Sequence, residues 1–211
     1  MKYEQIAKYY EDCFNTHGDN NLGVNWPKVE DVNTRHQIHF DLITFSKENK
    51  PLEEVTLLDF GSGLGHFYGW LKETKTNMPK YTGIDINRCM CETASSKYPE
   101  VSFQNVDLLK DDLAFPTFDF IIVNGVFTVK HNLSHDEMKE FFTSTVKKLW
   151  KYCKNGLSFN LMSKHVDWER DDLFHVSMDE LALFLKQNLS RNFVFRSDYG
   201  LYEYTTYVYK K

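Results

Sequence analysis

Residues 57–67 read Leu57-Leu58-Asp59-Phe60-Gly61-Ser62-Gly63-Leu64-Gly65-His66-Phe67. An apolar run gives way to a turn holding three glycines, and then to a stretch patterned as a helix start. Glycines adopt backbone conformations closed to other residues and let the chain approach a ligand closely. A strand, a glycine turn and a helix together open a parallel α/β sheet, in which ligands bind beyond the carboxyl ends of the strands. A dinucleotide fingerprint would place its glycines at 61, 63 and 66, yet position 66 is His66. No Gly-Lys-Ser/Thr follows, so the turn is not a P-loop either.

Working outward, β-rich runs recur at 81–86, 101–105, 118–124 and 157–162, alternating with helical patterns near 64–75, 88–98, 134–152 and 178–189. That alternation predicts an α/β fold with a parallel sheet. Phe118-Asp119-Phe120-Ile121-Ile122-Val123 is almost continuously apolar, as befits a strand covered on both faces, and is expected at the centre. Ser134 with Glu137 and Ser177 with Glu180 have the spacing of capping boxes. Runs at 192–196 and 203–209 flank Asp198-Tyr199-Gly200 and predict a closing hairpin. Ahead of the first strand, residues 1–54 form an N-terminal helical cap, distinct from a sheet domain at 55–211. The cap holds helices near 3–14 and 31–47, joined by a polar loop with Gly18, Asn20, Asn21 and Gly23. Val32, Arg35, Leu42 and Phe45 share one stripe of the second helix. A buried guanidinium there needs a carboxylate: either Arg35 snorkels out of the boundary or it binds an acidic ligand group.

The 211 residues carry a net charge of −5, which argues against a nucleic-acid binder held by phosphate neutralisation. The polar opening residues are unlike a signal peptide and no apolar run reaches membrane-span length, so a cytoplasmic protein without membrane partners is expected. Cys13, Cys89, Cys91 and Cys153 include no C-x-x-C pair; reduced thiols and no metal site are the expectation. Oligomeric state is not legible.

The polar residues at the strand ends form the most informative constellation: Asp59 and Gly61, then Asp85, Asp107, Asn124 and Asn160. Asp85 lies 22 residues beyond Gly63, where a carboxylate can accept both hydroxyls of a ribose. The glycine turn and this acid together predict an adenosine-bearing ligand.

In order and spacing, Asp59-x-Gly61-x-Gly63-x-Gly65, Gly83-Ile84-Asp85, Asn105-Val106-Asp107 and Phe118 to Asn124 resemble the motifs of class I S-adenosylmethionine-dependent methyltransferases. The resemblance covers about residues 55–162. It implies a Rossmann-like sheet of seven strands, mostly parallel with the last antiparallel, and S-adenosylmethionine as cofactor. It implies further that Gly61 and Gly63 lie along the methionine part, Asp85 binds the ribose, Ile86 and Leu108 flank the adenine, and Asp107 meets its amino group. Asp59 and Asn124 are expected in the same site. The flanks, with Tyr9-Tyr10, Gly23-Val24-Asn25-Trp26, Arg35, Phe159-Asn160 and residues 198–203, resemble a bacterial subgroup associated with small-molecule or surface-polysaccharide gene clusters. Asn25 stands where that subgroup would have an Asp.

A sulfonium-borne methyl leaves the protein mainly the work of alignment, which can lower a barrier by about 7 to 11 kcal/mol. The expected reaction is methyl transfer to an O or N nucleophile of a small metabolite, including sugar- or nucleotide-linked precursors. Base candidates are His131, His165 and Asp198; acceptor-binding candidates are Trp26, Lys130, Asn160 and Tyr199. Plainer roles compete: solvated histidines, a turn-forming Asp198, a core Tyr199. Tyr10 and Trp26 can close over a sulfonium by cation-π attraction, or simply pack the cap. Within the family context Arg35 is expected to grip the cofactor's carboxylate. Two alternatives stand beside this reading. Asn124-Gly125-Val126-Phe127 resembles the Asn-Pro-Pro-Tyr motif of enzymes that methylate nucleobase or protein amines, without its prolines. A non-catalytic cofactor-binding scaffold is the other.

Overall fold

Strand β1 (Thr56–Phe60) takes in the first four residues of the opening run, and its side chains alternate between two apolar layers, Leu58 facing one and Leu57 the other. The computed structural model describes residues 2–46, 49–111 and 115–210. Around β1 it places β2 (Lys80–Asp85), β3 (Ser102–Asn105), β4 (Phe118–Val123), β5 (Cys153–Ser163), β6 (His175–Val176), β7 (Asn192–Arg196) and β8 (Glu203–Tyr209). The sheet runs β3-β2-β1-β4-β5-β8-β7, with the two-residue β6 beside the end of β5. Neighbours from β3 to β5 pair parallel, and β8 is antiparallel to both β5 and β7. This is the expected Rossmann-like α/β sheet of seven strands with an antiparallel last strand. Strand order reverses between β1 and β4, which fixes where a crevice must open.

Helices α1 (Glu4–His17), α2 (Val29–Thr44), α3 (His66–Thr74), α4 (Arg88–Lys97), α5 (His135–Tyr152) and α6 (Met178–Asn188) complete the chain. All six residues of β4 are buried, as its apolar run predicted. The Ser134 box forms in full: Glu137 N–H donates to Ser134 Oγ and Ser134 N–H to Glu137 Oε2. The Ser177 box forms by half, because the Glu180 carboxylate turns to Lys139 instead. The expected end of the second helix, Lys47, lies outside the described residues. Phe45 leaves the predicted inward stripe: α2 stops at Thr44, and Phe45 is 54% exposed beneath Arg196.

Period-2 alternation gives β5 two different faces. Leu157, Phe159 and Leu161 join the core beneath α5 and α6, whereas Ser158 and Asn160 point to the opposite face and are fully buried there. β8 sets Tyr207 and Thr205 beside them. A polar stripe inside the protein needs polar cover, and α2 supplies it. His39 Nδ1 lies 2.8 Å from Ser158 Oγ, and one turn earlier Arg35 reaches Glu203 at the start of β8. Tyr207 and Tyr209 donate to the α2 carbonyls of Ile38 and Leu42. The second cap helix is thereby bonded to the sheet along its length.

Burial holds both His36 and His39 neutral, pushing each down to about 3. An unfolded histidine takes up a proton below about pH 6.5, so each residue draws stability away as pH falls between about 6.5 and 3. Asp59 works the other way: burial pushes it up to about 7, so it favours the folded state below that pH. Replacing one histidine isolates its own contribution. Relative to wild type, His39→Gln should lose less stability between pH 6.5 and 4, by up to about 1.4 kcal/mol per pH unit. Thermal denaturation across that range measures it.

Candidate active site

A cleft of about 1100 Å³, measured out to its open mouth, lies over the carboxyl ends of β1, β2 and β4, at the reversal of strand order. Its floor is the glycine turn. Gly61 takes φ = +76°, and a Cβ there would stand 2.3 Å from Val126 Cγ2, so only glycine fits. Gly61 and Ser62 donate their N–H groups to Ile84 O, and Gly63 N–H donates to Asp85 Oδ2 at 2.9 Å. The turn after β1 is thus fastened to the acid that ends β2. Asp85 Oδ1 accepts a second backbone bond, from Asn87 at 2.7 Å. Each carboxylate oxygen has two lone pairs, so one acceptor site on each oxygen is left for a ligand. Burial raises the Asp85 pKa, and the backbone N–H groups of Asn87, Gly63 and Ile86 work against that rise.

Asp59 borders the cleft from below and is 2% exposed; Tyr81 donates to its Oδ2 at 2.6 Å. Ile86, Asp107 and Leu108 line one end. There α1 roofs the cleft with Tyr3, Ile6, Ala7 and Tyr10, held by Asn87 Nδ2 donating to Ala7 O. Tyr3 donates its hydroxyl to Asp107, lying 2.7 Å from one oxygen and 2.9 Å from the other. Burial, and then the Asp107 carboxylate, raise the Tyr3 phenol well above its ordinary value.

Trp26, Asn124, Gly125 and Val126 line the other end. Gly125 stands at φ = +80°, where proline, fixed near −65°, cannot go. The likeness to Asn-Pro-Pro-Tyr therefore stops at Asn124, because the backbone beyond it turns the opposite way. Asn25 also takes the left-handed conformation, at φ = 56°, one that asparagine tolerates better than most residues.

Arg35 does not border the cleft. Its Nε lies 2.9 and 3.0 Å from the two Glu203 oxygens, and its guanidinium sits 5.7 Å from the Trp26 ring centroid. Glu203, 3% exposed, also accepts from Asn160 Nδ2, while Asn160 Oδ1 accepts from Gly125 N–H at 2.8 Å. Asn160 is fully buried and lies behind the wall, not on it.

The structure sets the remaining candidates away from the cleft. Asp198 is exposed and ion-paired with Arg196, because the hairpin points it outward. The Tyr199 hydroxyl is taken up by Thr205. His165 lies exposed past β5 with its N–H on Ser163 Oγ, and the His131 ring packs against Tyr9. Lys130 donates to Leu133 O. None of these five lines the cleft among the described residues. Sequence reasoning passed over His36, which does line it, together with Tyr3 and Glu203. The available signal for His36 was its place beside Arg35 on a helix with an inward face.

Glu203→Ala would leave a guanidinium buried without its carboxylate, and should cost about 3 to 5 kcal/mol in urea unfolding. Arg35→Met with Glu203→Leu, which removes both charges together, should recover most of that loss.

A family model described as a methyltransferase domain matches residues 57–151, the segment that builds the cleft floor. The putative methyltransferase Rv1506c of Mycobacterium tuberculosis is 29% identical over 162 residues, covering 75% of this chain and 95% of that protein. Magnesium protoporphyrin IX methyltransferase (ChlM) of Synechocystis PCC 6803, solved with bound S-adenosylmethionine, superposes with a TM-score of 0.66 at 14% identity, over 100% of this chain and 98% of that one. The plantazolicin methyltransferase BamL, solved with a desmethyl analogue and the demethylated cofactor, gives 0.65 at 12% identity over the full length of both. The domain match lies on the strands that form the crevice, and solved methyltransferases share the fold around it.

Proposed function

We propose that the protein methylates an oxygen or nitrogen nucleophile of a small metabolite, with the cofactor laid from Asp107 to Gly61 and the acceptor entering at the Trp26 end. The observation that carries this reading is the continuity of one cleft across both ends, with unused acceptor sites on Asp85 at one and Asn124 at the other. When bound, S-adenosylmethionine supplies an electrophilic methyl on a sulfonium. The residues present fit such a group. Asp85 retains an acceptor site on each oxygen for paired hydroxyls. Ile86 and Leu108 offer apolar sides for a base, and Asp107 an acceptor for its amino group. The Gly61 to Gly63 turn leaves room for a chain, and Asp59 and Asp85 put negative charge beneath a cationic ligand. Tyr10 and Trp26 present aromatic faces suited to a sulfonium.

A small acceptor is supported by the roof that α1 places over the cleft and by the net charge of −5, which gives no basic surface for a polyanion. The relatives bear names that point the same way, a protoporphyrin methyltransferase and a plantazolicin methyltransferase. Arg35 acts in this scheme through Glu203 and Asn160, which set the Gly125 turn.

Two measurements test the cofactor half. Asp85→Ala should weaken S-adenosylmethionine binding by about 10- to 100-fold in calorimetric titration, the loss of charge-assisted bonds of about 1.5 to 3 kcal/mol. Unchanged affinity would remove Asp85 from the site. Asp59, pushed up to about 7, must be ionised to attract a cation, so affinity should fall as pH drops from 8 to 6. Asp59→Asn should bind more weakly at pH 8 and show a flatter profile.

A further inference from the structure

At the acceptor end two side chains stand out because their polar atoms have nothing to bond. His36 is 2% exposed and Asn124 8%, both border the cleft, and both ring nitrogens of His36 and both amide atoms of Asn124 lack a hydrogen-bond partner among the described residues. Buried polar groups in native proteins are almost always bonded, and those that are not mark a missing ligand, ion or water. Trp26 packs near both segments. Its ring centroid is 5.7 Å from that of His36, and its Cζ2 stands 3.0 Å from where a Gly125 Cβ would be. Phe67 closes the far side of His36 at 5.3 Å. The polar atoms are therefore set in aromatic walls. The β-strand end that carries Asn124 is fixed from behind by Asn160, so it is held in place before any ligand arrives.

We propose that His36 and Asn124 form the acceptor subsite, and that it receives an uncharged hydroxyl or ring N–H carried on a flat apolar frame. A neutral imidazole has one donor and one acceptor nitrogen, and an amide has both kinds of atom, so together they match a group that both donates and accepts. His36 stays neutral here, since burial and the neighbouring His66 and Arg35 push it down to about 3. An anionic acceptor would find no cation: among the described residues the cleft is lined by no lysine or arginine. Arg35, the nearest candidate, is engaged by Glu203.

The subsite rests on the methyl-transfer reading, and the test separates the two. The full chain is first titrated with S-adenosylhomocysteine; failure to bind it sinks the reading itself and the subsite with it. The loaded protein is then titrated with 4-methylphenol, 4-methylbenzoate and 4-methylphenyl phosphate, following His36 ring nitrogens by NMR. The phenol should bind at least about tenfold more tightly than either anion and shift the His36 resonances. His36→Phe should weaken phenol binding by about tenfold while leaving S-adenosylhomocysteine affinity within about twofold. Asn124→Leu serves as the second variant, with the same expectation for the phenol, should His36→Phe not fold. Loaded protein that ignores the phenol, prefers either anion, or binds the phenol with unmoved His36 resonances overturns the proposal.

Discussion

The Glu203 carboxylate is the fixed point on which the Trp26 end of the cleft depends. It is almost wholly buried, and it joins Arg35 of the second helix to Asn160 of the fifth strand. Asn160 passes the constraint on by holding the Gly125 N–H, and so sets the turn that carries Asn124 and packs against Trp26. A buried ion pair adds little to stability compared with apolar residues of similar shape, since desolvation offsets the attraction. What it does add is register. The helix can lie on the polar stripe of Ser158, Asn160 and Thr205 in only one position if Arg35 and His39, one turn apart, are both to find their partners.

The end of the cleft at the glycine turn is held differently, by backbone. Gly61, Ser62 and Gly63 all donate toward the end of β2, so the glycine turn and Asp85 move as one piece. This explains why the turn and its acid could be placed together from the sequence. Glycines, a strand-end acid and the spacing between them are local features, and the parallel sheet brings neighbouring strand ends together whatever the details. The central place of β4 was readable for a similar reason, since its apolar run demands cover on both faces.

Features that depended on pairing at long range were not legible. Arg35 faces inward as its stripe suggested, but its carboxylate comes from a residue 168 positions away. Nothing local to Glu203 announces that it is buried. The histidines and hydroxyls past β4 and β5 had suitable chemistry, yet the loops carry His165 and Asp198 to the surface, and Tyr199 turns to Thr205. His36 escaped notice because a histidine on a mixed helix has no distinguishing pattern until α3 and Trp26 are packed around it. The Ser177 box shows the same limit on a small scale, since Lys139 from another helix outcompetes the local bond.

The roof over the Asp107 end of the cleft carries a thermodynamic consequence. Tyr3 gives its one hydroxyl hydrogen to the Asp107 carboxylate, whose two oxygens lie at 2.7 and 2.9 Å. A donor that approaches Asp107 either shares the carboxylate with the phenol or displaces it, and in the second case observed affinity scales with the share of molecules in which that bond is already broken. A substitution at Tyr3 can in this way tune occupancy of the cleft.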